Sequence, residues 1–136
     1  MILITGGKYQ GRLKTALKIS DYTMDDVFDF AKLNSKEYME KNINYTEKKI
    51  WYNLQEYVRD LATYGTESFQ LENMIKKLVE KRNPEIIVMA EVGAGVIPIN
   101  AQDVLFREAT GRLSVYFAEE CEEVYRVICG IATKLK

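Results

Sequence analysis

Two glycine-rich stretches carry the residue types best suited to chemistry. The first, Gly6-Gly7-Lys8-Tyr9-Gln10-Gly11-Arg12-Leu13, fits G-x-x-x-x-G followed by a basic residue, after an apolar run and at the start of a helical pattern. In such a loop the backbone N–H groups and a helix N-terminus converge on phosphate oxygens, with a cation beside them. All eight residues are candidate nucleotide-binding positions. The amides of Gly7 to Gly11 would cradle the anion, and Arg12 or Lys8 would offset its terminal charge. Where the usual motif continues Lys-Ser/Thr, this chain has Arg12-Leu13. Arginine keeps the charge in a planar fork, whereas leucine cannot ligate a metal. From the loop alone, a phosphate cradle and a plain strand-to-helix turn are equally open.

The second stretch is Glu91-Val92-Gly93-Ala94-Gly95-Val96-Ile97-Pro98, and it follows the apolar residues Ile86 to Met89. An acid in that place is how a phosphate-loop (P-loop) protein presents a carboxylate to the Mg²⁺ of a nucleotide, so Glu91 is the candidate metal ligand and catalytic acid. The alternative is a polar residue leaving a strand for solvent. Asp29, at the end of another presumed strand, is a lesser acid candidate. Arg107 and Arg112 fall in a helical segment after this loop and could clamp phosphate, or else form an exposed charged face. The acidic group from Glu119 to Glu123 reads as a solvated loop, and the nine tyrosines as residues at the edge of the core.

Composition removes whole classes of chemistry. The 136 residues include no histidine, so no imidazole base, nucleophile or metal ligand exists in this chain. Nineteen basic against twenty acidic side chains leave a net charge of −1 and no broad positive field for nucleic acid or anionic lipid. Cys121 and Cys129 cannot build a cysteine-rich zinc site; both read as core fillers with free thiols, which favours a cytoplasmic setting. The apolar opening is too short for a signal peptide or a membrane span.

The elements that would position these residues alternate. Ile2 to Thr5 is a continuous apolar run that reads as a strand buried on both faces, and Leu13, Ala16 and Leu17 continue it into a helix. Thr23-Met24-Asp25-Asp26 could cap a helix, but Val27 to Phe30 is read as a short strand. Ile50, Leu54, Tyr57, Val58 and Leu61 keep helical spacing, as do Leu71, Met74, Ile75, Leu78 and Val79, with a break near Gly65. Asn83-Pro84 ends that pair, and Glu85 to Ala90 is a further strand. A helix resumes near Asn100, interrupted at Gly111, and Val124 to Cys129 is a last strand bending toward Lys134 and Lys136. The expectation is one α/β domain over residues 1–136, a mainly parallel sheet flanked by helices, with both glycine loops on the rim where the strands end.

Several blocks resemble the adenosylcobinamide kinase/adenosylcobinamide-phosphate guanylyltransferase family. They are residues 91–98, Phe106-Arg107-Glu108, Gly111-Arg112, Glu123-Val124-Tyr125 and the closing Gly130-Ile131-Ala132-Thr133-Lys134-Leu135-Lys136, with Met1 to Gly7 similar to the family's opening strand. The resemblance implies a P-loop α/β fold, GTP or ATP with Mg²⁺ at the first glycine loop, and phosphate transfer to the hydroxyl of a cobinamide-type corrinoid. It further implies substrate contacts at Gly93, Gly95, Pro98, Arg107 and Arg112, and a homo-oligomer. The family carries its guanylyl group on a histidine, and this chain has none, so the guanylyl step is not expected. The rival expectation is a non-catalytic nucleotide- or corrinoid-binding module of the same fold.

Overall fold

The computed structural model describes residues 1–32, 47–92 and 100–136. The expectation of an α/β fold holds: a six-stranded, mostly parallel sheet is flanked among these residues by four α-helices. The strands are β1 (Ile2–Gly6), β2 (Val27–Asp29), β3 (Ile50–Tyr52), β4 (Ile86–Val88), β5 (Glu123–Ile128) and β6 (Ile131–Lys134). The helices are α1 (Arg12–Ile19), α2 (Leu54–Thr63), α3 (Ser68–Arg82) and α4 (Ala101–Glu120). The sheet order is β2-β3-β4-β1-β5-β6; β1 lies between β4 and β5, parallel to both, and only β6 runs antiparallel.

Alternation along the strands divides the core between two faces. Leu3, Trp51, Ile87, Met89 and Val124 point to a face covered by α2, α3 and α4, where Phe30, Leu61, Ile75 and Phe117 complete a continuous apolar cluster. Ile4, Ile50, Ile86, Val88 and Val127 point the other way, onto Ala16 of α1. No described helix is long and apolar enough to cross a membrane.

The differences from expectation have local causes. Ile50 does not begin a helix: Ile50-Trp51-Tyr52 pairs with both β2 and β4, and Asn53, at φ 62, turns the chain before α2 starts at Leu54. Three residues are too few to show a period of two, so the helical spacing of the following segment ran through them. Thr23 does cap a turn of 3₁₀-helix at Met24–Asp26, and β2 follows it directly. Helix α4 continues through Gly111 without a break. The expected bend after Val124 to Cys129 is a full hairpin, and the segment toward Lys134 returns as β6, because Cys129 (φ 50) and Gly130 (φ 75) form the left-handed pair of a two-residue turn. Cys129 is therefore exposed at a turn, while Cys121 is a core residue; both thiols are free.

Candidate functional site

Because β1 to β5 run parallel, their carboxyl ends share one rim, and the chain places there Gly6, Asp29, Asn53, Glu91 and the Cys129-Gly130 turn. In open α/β sheets this is the ligand-binding edge. Glu91, which opens the second stretch, meets the loop after β1 there: its amide donates to the Gly6 carbonyl at 2.9 Å.

The loop after β1 has little freedom. A Cβ on Gly6 would stand 2.4 Å from the Val127 carbonyl oxygen. Tyr9 is left-handed (φ 60) and fully exposed at the loop's apex, and Gly11 (φ 91) opens α1 without a side-chain cap. The first hydrogen bond of the helix runs from the Thr15 amide to the Gly11 carbonyl (3.0 Å), which leaves the amides of its first turn without partners within the helix.

Arg12 is folded beneath this loop, 3% exposed. Its Nε donates to the Gly7 carbonyl at 3.2 Å, one terminal nitrogen reaches Asn53 Oδ1 at 3.5 Å, and the guanidinium lies 5.6 Å from the centre of the Tyr52 ring. The other terminal nitrogen is buried and has no hydrogen-bond partner among the described residues. Burial lowers the pKa of Arg12, while Tyr52, Glu56 and Glu91 favour its charged form. Arg12 thus braces the loop from inside and contributes a buried positive charge, whereas Lys8 is half exposed and pairs with Glu56 at 3.6 Å. Leu13 turns away to line a cavity of about 220 Å³ with Met24, Val27, Phe28, Asp29 and Lys32.

The neighbouring strand tips carry a polar network that the sequence reading had only touched through Asp29. Asn53 Nδ2 donates to Asp29 Oδ1 at 3.0 Å, and the buried Gln55 donates to Asn53 Oδ1 at 3.3 Å while accepting from the Ala90 amide at 3.0 Å. Asn53 and Gln55 went unnoticed because neither residue type nor spacing marks an amide that bridges strand tips. Arg126 was missed for the same reason: Glu91 Oε1 and Oε2 accept from its Nε and a terminal nitrogen at 2.8 and 3.0 Å. That bidentate contact raises the pKa of Arg126.

The remaining candidates divide. Arg112 is engaged by Glu72 of α3 at 2.7 Å, by Ser68 and by Glu108 at 3.8 Å, so it ties α4 to α3. Arg107 is half-buried on α4. Gly93, Gly95 and Pro98 lie outside the described residues. A protein-held Mg²⁺ does not fit the described residues: Glu91 has both oxygens on Arg126, Leu13 offers no oxygen, and no group of three Asp, Glu or Cys side chains comes together among them.

Residues 44–135 match the family model described as "Cobinamide kinase / cobinamide phosphate guanyltransferase". The chain belongs to this family. The matched residues include β3, Glu91, Arg107, Arg112 and the closing hairpin, but not the first glycine loop or β1, whose residues Met1 to Gly7 resemble the family's opening strand. A shorter segment is similar to the bifunctional adenosylcobalamin biosynthesis protein CobU of Salmonella typhimurium, 37% identical over 51 residues. That alignment covers 38% of this chain and spans 28% of the length of the Salmonella protein.

Proposed function

We propose that this chain binds the phosphates of a purine nucleoside triphosphate, GTP or ATP, at residues 6–12 and transfers the terminal phosphoryl group to the hydroxyl of a cobinamide-type corrinoid. The family membership supports the chemistry. The observation that carries it to a place is the meeting of the glycine loop, the buried Arg12 and the Asp29-Asn53-Gln55 network on one rim. In the transfer, the acceptor oxygen forms a bond to the γ-phosphorus, the bond to the β-γ bridging oxygen breaks, and the nucleoside diphosphate leaves with the electron pair. The amides of the loop and first helical turn receive the phosphate oxygens, and Arg12 supplies positive charge from below. Asp29, held by Asn53, is the carboxylate on this rim that we assign to take the hydroxyl proton. Without histidine the guanylyl step has no carrier, so the product is the phosphate ester alone. Two free thiols support a cytoplasmic setting, and the family resemblance supports a homo-oligomer.

Incubation of the chain with adenosylcobinamide and γ-labelled GTP or ATP, with and without Mg²⁺, tests this reading. Labelled cobinamide phosphate is expected, and absence of both label transfer and triphosphate binding in calorimetry would overturn it. One pair of observations favours a second reading, a non-catalytic binder: Leu13 is apolar and Glu91 is neutralised by Arg126. Triphosphate binding with an affinity indifferent to Mg²⁺, and with no transfer, decides for that reading.

A further inference from the structure

We infer that the turn joining β5 to β6 is the strut that holds the phosphate loop open, and that Gln10 is its positioning residue. The inference rests on the proposed role of residues 6–12 and adds to it a fixed support from the far end of the chain. Gln10 takes both amides of the turn: its side-chain Oε1 accepts from the Cys129 N–H at 2.7 Å, and its carbonyl accepts from the Gly130 N–H at 2.8 Å. A two-residue hairpin leaves these two amides outside the strand ladder, so without Gln10 they would need water.

The seat is close at both ends of the loop. Gly6 lies against the backbone of Val127, in the strand that leads into the turn, and a Cβ on Gly11 would stand 3.3 Å from the Gly130 Cα. Cys129 occupies a left-handed conformation that non-glycine residues seldom adopt, and such backbone persists where its surroundings fix it. The bond from Gln10 is one of those fixing contacts. On the other flank, Arg12 and the Glu91 amide hold the Gly7 and Gly6 carbonyls. A loop held at these points keeps its amides aimed before any anion arrives, which saves the cost of ordering them on binding.

The test compares the unmodified chain with Gln10→Met, which keeps the length but loses the acceptor, and Gln10→Glu, which restores an oxygen. Amide hydrogen exchange is followed by NMR without ligand, and binding of GTP and inorganic pyrophosphate by calorimetry. Gln10→Met should speed exchange at Cys129 and at residues 7–11 and weaken both anions about five- to tenfold, the effect of losing one hydrogen bond, with little change in melting temperature. Gln10→Glu should restore protection at Cys129. Unchanged exchange across the loop in Gln10→Met, or a melting temperature that falls in step with affinity, overturns the inference. If the unmodified chain binds neither anion, the phosphate reading itself fails. The two failures are distinguishable because the exchange comparison needs no ligand.

Discussion

The two faces of the sheet are built to different plans. On one, α2, α3 and α4 press Phe106, Phe117, Leu61, Leu71 and Ile75 onto Leu3, Trp51 and Ile87, and Phe30 meets Trp51 edge-on at 5.4 Å. On the other, among the described residues, the eight-residue α1 covers Ile4, Ile50, Ile86, Val88 and Val127, and Glu123, Tyr125 and Lys134 add a polar cluster beside them. Among the described residues the thick face therefore carries most of the apolar burial. The helix of the thin face, by contrast, starts in the first glycine loop, so its first turn belongs to the rim as well as to the core. On the proposed reading, stability and binding are drawn from opposite sides of one sheet.

The largest effect should follow truncation on the thick face. Phe117 is fully buried in the thick-face cluster, and Phe117→Ala should cost about 3–5 kcal/mol in urea unfolding, because three packed helices cannot all collapse onto the void. A cost below about 1 kcal/mol would mean that the face is loosely packed. A finer comparison uses neighbours on β4: Ile87 faces the three helices and Ile86 faces α1, each at most 1% exposed. Both Ile→Val changes fall in a range of about 0.5–1.5 kcal/mol, with Ile87→Val toward the top and Ile86→Val toward the bottom, since a short single helix can settle into the gap. The reverse order would refute the contrast between the faces.

The two cysteines report the same contrast through reactivity. Cys121 belongs to the thick-face cluster, where burial pushes its thiol up to about 11, while Cys129 is exposed at the hairpin turn. A thiol-labelling reagent at pH 8 should modify Cys129 in the folded chain and reach Cys121 only on unfolding. Because the pKa of Cys121 is raised by folding, the neutral thiol favours the folded state at neutral pH, and that preference is lost as pH rises toward 11. Equal labelling rates for both cysteines in the native chain would place Cys121 outside the core.

Much of this was legible because it depends on local residue types. The continuous apolar run of β1, the glycine loop after it and the helix of residues 13–19 stand in the sequence as they stand in the fold. Glu91 meets the loop there because both follow parallel strands. What the sequence could not show is where long-range pairings form. The three residues of β3 carry no period of their own, and the left-handed Cys129 that lets β6 return is not a residue type that announces a turn. The engagements of Arg12, Glu91 and Arg112 were equally hidden. Each cation or acid was read as available to a ligand, yet each has a partner or a burial site supplied by a distant segment: Asn53 for Arg12, Arg126 for Glu91 and Glu72 for Arg112.

The smallest expected effect belongs to the polar cover of the thin face, and it tests whether that cover is electrostatic. Lys134 Nζ lies 3.1 Å from Glu123 Oε1, the Tyr125 hydroxyl donates to Glu123 Oε2 at 3.1 Å, and these contacts lower the pKa of Glu123 from its ordinary value. A carboxylate with a lowered pKa stabilises the fold above its unfolded value, and the contribution disappears as pH falls through the folded one. The stability difference between the unmodified chain and Lys134→Met should thus be present at pH 7 and vanish below the ordinary carboxylate range. It should also shrink in high salt, since the pair is exposed. A difference that persists unchanged at pH 2 would instead assign the role of Lys134 to the packing of its aliphatic stem on Tyr125, and the thin face would then be covered by apolar contact along its whole width.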